Sequence, residues 1–163
     1  MRQQLGKEYF ILKRKLYWLY SDISWAKQSD KTFDGFSIKK HKSVIKRKLK
    51  DIDMYLQENK RTNLQLAINH INNIVVKQDE IFSFWKLVGR PTKKKGYIDG
   101  LSLNQGKIEK DIGGGLCQLG NLLFWIFAHS PLSIIQRFRH SFDVFPDTNR
   151  DVPFGAYTII QLY

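Results

Sequence analysis

Asp111-Ile112-Gly113-Gly114-Gly115-Leu116-Cys117-Gln118, continued by the apolar run Leu122-Leu123-Phe124-Trp125-Ile126-Phe127-Ala128, decides how the rest of the chain must be arranged. Three consecutive glycines cost backbone entropy and belong where φ must be positive or where another group approaches the backbone closely. The sequence then turns helical at the cysteine, and Pro131 stops the helix. Because this helix is apolar nearly all round, the reading predicts that it is central to the core and holds Cys117 rigidly. A thiol in a first helical turn gains from free amides and the positive dipole end, which favour the thiolate. The same amides can hold an oxyanion formed when that thiolate attacks a carbonyl.

A thiolate mechanism needs a base. Of His41, His70, His129 and His140, the last follows Ile134, Ile135 and Phe138, which predict a strand. His140 would then sit at a strand end facing the helix start, with Asp143 or the backbone orienting its ring. His129 reads as a cap on the helix C-terminus, and no histidine has metal-ligand spacing. The competing reading of Cys117 is an inert small side chain in the core.

Upstream, Gly96 to Ile108 reads as a hairpin, with Tyr97, Leu101 and Leu103 around Gly100 and a turn at Asn104, Gln105 and Gly106. Ile74–Val76 and Ile81–Trp85 read as another hairpin with a polar turn between, ended by Gly89 and Pro91. A helix starts at Thr62 or Asn63, carrying Leu64, Ala67, Ile68 and Ile71. Before it, Val44, Ile45, Leu49 and Ile52 suit a helix whose other face holds Lys39, Lys40, Lys42, Lys46, Arg47, Lys48 and Lys50. That face reads first as solvated and second as a surface for membrane or phosphate contact. From Tyr9 to Ile23, Leu12, Leu16, Leu19, Tyr20 and Ile23 recur at spacings of three and four, predicting an amphipathic helix. The fold class is therefore α+β, with N-terminal amphipathic helices followed by antiparallel hairpins packed on the central helix that starts at Cys117. The first segment is 1–35 and the main domain 36–163.

With 163 residues, 42% of them hydrophobic, the chain can bury a core without metals or disulfides, and its single cysteine excludes an internal cystine framework. Twenty-seven basic residues face fifteen acidic ones, a formal charge of +12. The excess is concentrated in residues 1–60 and points to an anionic partner. No leader peptide and no span of ~18–20 apolar residues is visible, so the expected location is cytoplasmic or peripheral to a membrane. Nucleic acid is disfavoured, because charge alone supports it. No cofactor or metal is expected.

The motifs resemble those of the VanW family, named from vancomycin-resistance operons. Gly113, Gly114, Gly115, Leu116, Cys117 and Gln118 are similar to its glycine-rich cysteine motif, and Arg137, His140 and Ser141 to its arginine–histidine–serine block. Phe82, Ser83, Phe84, Val88, Gly89, Gly96 and Tyr97 resemble its upstream signature; Asp143, Phe145, Pro146, Asp147, Phe154 and Gly155 resemble the short operon-type members. Gly120 stands where the family usually has serine or threonine, and the strand-like run Tyr157 to Tyr163 ends where the family usually continues, which reads as C-terminal truncation.

The resemblance implies a peptidoglycan connection, with L,D-transpeptidase chemistry on a stem peptide or precursor and a location in the cell envelope. Cys117 would be the nucleophile, His140 the base and Asp143 its orienter. Gly113, Gly114, Gly115, Gln118, Arg137 and Ser141 would shape the substrate and oxyanion side. The reading leans towards an enzyme. The alternative is a noncatalytic accessory protein docking on anionic envelope components or on resistance enzymes.

Overall fold

The computed structural model describes residues 2–46, 53–104, 107–138 and 156–162. In chain order the elements are α1 (Arg2–Tyr20), α2 (Met54–Ile71), β1 (Ile81–Ser83), α3 (Phe84–Val88), a 3-10 turn (Lys93–Lys95), β2 (Asp99–Asn104), β3 (Lys107–Ile112), α4 (Leu116–Phe127), β4 (Leu132–Phe138) and β5 (Ala156–Leu162). The class is α+β. Among the described residues two antiparallel sheets carry it, the ribbon β2–β3 and a three-stranded sheet ordered β1-β5-β4.

Ala26, Leu64, Ala67, Phe82, Phe84, Val88, Tyr97, Leu116 and Leu119 form the core, drawn from α2, β1, α3, α4 and the segments at Ala26 and Tyr97. α4 meets it with Leu116, Leu119 and Gly120, while Leu122, Leu123 and Phe127 pack at its margin half-buried. The helix is thus one wall of the core, with α2 across from it and β4 and β5 beside it.

The hairpin at 96–108 forms as the alternation predicts, with Asp99 opposite Ile112 and Asn104 opposite Lys107. The other expected hairpin does not form. Residues 74–76 lie instead beside the extended stretch 24–30, where the Val75 amide donates to the Gln28 carbonyl (2.9 Å) and the Asp30 amide to Asn73 (3.0 Å). Ile81–Ser83 pairs with β5, Ile81 opposite Gln161, and the chain then coils into α3. A local reading pairs neighbours in sequence, whereas here each segment finds a distant partner that covers its backbone donors.

α2 begins at Met54, well before Thr62 or Asn63. Its buried face is mixed, since Leu56, Gln57, Lys60, Asn63, Leu64 and Ala67 all turn inward. The polar members escape an apolar-stripe count because hydrogen bonds, not hydrophobicity, justify their burial. The expected basic helix from Val44 is absent over 41–46, which run as irregular chain. Like charges one turn apart, Lys42 and Lys46, disfavour a helix there, and the stretch is held from outside. The Lys39 ammonium lies 5.9 Å from the Trp125 ring centre, and Lys46 pairs with Glu58 at 2.9 Å. Arg47, Lys48, Leu49, Lys50 and Ile52 lie outside the described residues.

α1 docks through its less apolar side. The Arg14 guanidinium donates to Gln136 Oε1 (3.0 Å), and Arg90 pairs with Glu8 (2.8 Å). The Lys86 ammonium lies between the Trp18 and Trp25 rings, 5.5 and 5.0 Å from their centres. Desolvation, helped by the charge of Lys27, lowers the Lys86 pKa below the ordinary lysine value. Among the described residues no helix is long and apolar enough to cross a membrane.

Candidate functional site

The ribbon β2–β3 delivers the chain to the glycines, and each glycine is required for a separate reason. Gly113 has φ +78° and any Cβ there would strike Pro91. Gly114 lies against the backbone of Gly100, so close that a side chain on either would collide with the other's main chain. Gly115, the N-cap of α4, has φ +95° and lies under the alkyl chain of Lys60. The close approach that a glycine run predicts is made here by the chain's own β2 and α2.

Asn63 locks this crossing. It is fully buried, and its Nδ2 donates to the carbonyls of Ile98 and Gly114, both at 3.0 Å, while its Oδ1 accepts from the Ile98 amide at 3.0 Å. One turn earlier the nearly buried Lys60 donates to Gln57 Oε1 at 2.8 Å, and Asn59 donates to the Asp99 carbonyl at 2.7 Å. One face of α2 therefore fixes the loop before Cys117. Sequence reasoning placed Asn63 at a helix start and passed over Lys60; the available signal was a run of polar residues at i, i+3 and i+6 in line with Leu64 and Ala67.

Cys117 is half-buried in the first turn of α4, which sets it at the positive end of the helix. The Gly113 and Gly114 amides donate to the carbonyls of Ile98 and Asp111, each at 3.0 Å. With those two N–H groups engaged, oxyanion donors have to come from Gly115 onward. Gln118 is turned sideways, its Nε2 donating to Ser43 Oγ (2.7 Å) and to the Val44 carbonyl (2.8 Å). It pins the basic stretch 39–46 across the entrance to the helix.

Arg137 stacks on Phe124, its guanidinium carbon 3.6 Å from the ring centre. Phe124 is seven residues after Cys117, hence on the same side of α4 and about 10 Å along its axis. From Leu132 beside the end of α4, β4 thus runs back towards the cysteine end, and His140 follows its last residue by two positions. His140, Ser141 and Asp143 themselves lie outside the described residues. His129 behaves as its position predicts, with Nδ1 2.7 Å from the Trp125 carbonyl and the ring 4.4 Å from the indole. Among the described residues no group of three or more His, Cys, Asp or Glu could hold a metal ion.

The comparisons with known proteins agree with this motif. The family description "VanW like protein" matches residues 59–162. The chain is 50% identical over 99 residues to the vancomycin B-type resistance protein VanW of Enterococcus faecalis, which covers 61% of this chain and 36% of that protein. It is 37% identical over 79 residues to the uncharacterized protein YoaR of Bacillus subtilis, covering 48% of this chain and 26% of the other. The chain therefore spans about a third and a quarter of the lengths of these curated relatives. No solved structure matches it. From α2 through β5, with the glycine–cysteine turn at its centre, the chain belongs to the VanW-like protein family.

Proposed function

We propose that this VanW-family chain is a cysteine acyltransferase of the L,D-transpeptidase type, acting on peptidoglycan stem peptides or their precursors in the cell envelope. The observation that carries the reading is the position of Cys117, a half-buried thiol in the first turn of a helix whose preceding loop is immobilised from α2. The backward run of β4 along α4 supports His140 as the base, with Asp143 orienting it. His140 takes the thiol proton, and the thiolate attacks the peptide carbonyl ahead of a terminal D-alanine. The tetrahedral oxyanion is held by first-turn amides of α4. Its collapse breaks the C–N bond, the imidazolium protonates the departing amine, and a thioester remains. An amine of a second stem, losing its proton to His140, attacks the thioester and restores the thiol. In this reading Arg137 and Ser141 are assigned to binding the substrate.

The test is release of D-alanine and cross-linking from a stem tetrapeptide by wild type, Cys117→Ala and Cys117→Ser. Loss of both products in the variants, by about 10³-fold or more, is expected for a nucleophile. Equal product from Cys117→Ala overturns the proposal.

A second reading, a noncatalytic accessory protein, is favoured by one specific observation. The Gly113, Gly114 and Gln118 hydrogen-bond donors are all spent within the chain, so much of the motif serves the loop itself. Under it, Cys117 reacts with iodoacetamide at neutral pH no faster than a free thiol; under the acyltransferase reading it reacts faster.

A further inference from the structure

α1 is amphipathic in a direction opposite to the one that a packed helix requires. At about 100° per residue, Leu5, Tyr9, Leu12, Leu16, Leu19 and Tyr20 fall on one stripe. All six are between 44% and 79% exposed. The opposite side, with Ile11, Arg14 and Trp18, is the one turned towards the body through Gln136 and Lys86. A large apolar stripe left outward marks an interaction surface.

The charges around the stripe say which surface it suits. Lys13 and Lys15 flank it, roughly 70–90° to either side of its middle. The helix carries five cations, Arg2, Lys7, Lys13, Arg14 and Lys15, against one acid, Glu8, and of these Arg14 is engaged with the body. Glu8 is already paired with Arg90. Paired flanking lysines can bury their methylenes beside the apolar stripe and keep their ammonium groups at the level of anionic headgroups. Tyr9 and Tyr20 are amphipathic rings of the kind that settle at the same depth.

We propose that α1 is an interfacial anchor that lays its Leu5–Tyr20 stripe into a lipid bilayer surface bearing anionic headgroups. The complementarity is between a cation-flanked apolar stripe and a surface that is apolar below and negative above. This inference is independent of any chemistry at Cys117.

The test is co-sedimentation of the full chain with vesicles of phosphatidylcholine alone and of phosphatidylcholine with 30% phosphatidylglycerol. The anionic vesicles are expected to bind at least about tenfold more tightly, and added salt to weaken that binding. Leu12→Glu with Leu16→Glu should remove it; both residues are exposed, so the variant should keep its circular dichroism and melting temperature. Lys13→Gln with Lys15→Gln should reduce the preference for anionic vesicles while leaving the fold intact. Equal binding to both vesicle types, or unchanged binding by the Glu variant, overturns the proposal. So does a wild-type dimer, with no vesicle binding, that Leu12→Glu with Leu16→Glu renders monomeric, since the stripe would then serve a second copy.

Discussion

Asn63 and Tyr97 show two ways in which a buried polar side chain can be used. Asn63 makes three hydrogen bonds, two to Ile98 just before β2 and one to Gly114 in the loop before the cysteine. Asn63→Leu strips those partners while adding bulk, and should cost about 2–4 kcal/mol in urea unfolding. Tyr97 is almost wholly buried and its hydroxyl has no hydrogen-bond partner among the described residues. Tyr97→Phe removes an unsatisfied group without changing shape, so the melting temperature should stay or rise; a clear fall would contradict this account. Burial also raises the Tyr97 phenol above its ordinary value of 10.0. Above pH 10 the unfolded chain loses this proton while the folded chain keeps it. Stability from this group is therefore whole below that pH and declines as pH rises towards the folded value, and Tyr97→Phe should flatten that decline in unfolding measured from pH 9 to 11.

At the scale of elements, the glycine turn and the hairpin leading to it are the parts most legible in sequence. The run Gly113–Gly115 and the apolar stretch after it admit few alternatives to loop-then-helix, and alternation around Gly100 marks a ribbon. α2 was half legible, because Gln57, Lys60 and Asn63 hide its inward face from any count of apolar residues. Over 41–46 the basic stretch is not the helix that its sequence suggests, since nothing local shows that Gln118 and Glu58 hold it from outside. The cysteine's place in α4 was readable; the bonding of Gly113 and Gly114 was not, because their hydrogen-bond partners are Ile98, just before β2, and Asp111 at the β3 end. Gly114→Ala tests the crossing, since its methyl would enter the Gly100 backbone and neither main chain can yield. A loss of several kcal/mol or no folded protein is expected, against about 1 kcal/mol for a conformational penalty alone.

At the scale of the molecule, the N-terminal helix is joined to the body through Glu8, Arg14 and Trp18, with Lys86 between two indoles as the tie at its end. Lys86→Ala should leave the melting of the core nearly unchanged while cleavage after Lys27 or Lys31 by limited trypsin digestion accelerates several-fold. Equal digestion rates would show that other contacts hold the helix.

The three-stranded sheet has a consequence for biogenesis. β1 closes at Ser83 and β4 at Phe138, yet both hydrogen-bond to β5, which begins at Ala156. A nascent chain emerging from the ribosome therefore carries two unpaired strand edges, flanking the thiol-bearing helix, until that middle strand has been translated. Such an intermediate is a natural client for a holding chaperone, and its lifetime is set by translation speed as much as by the sequence of the edges themselves.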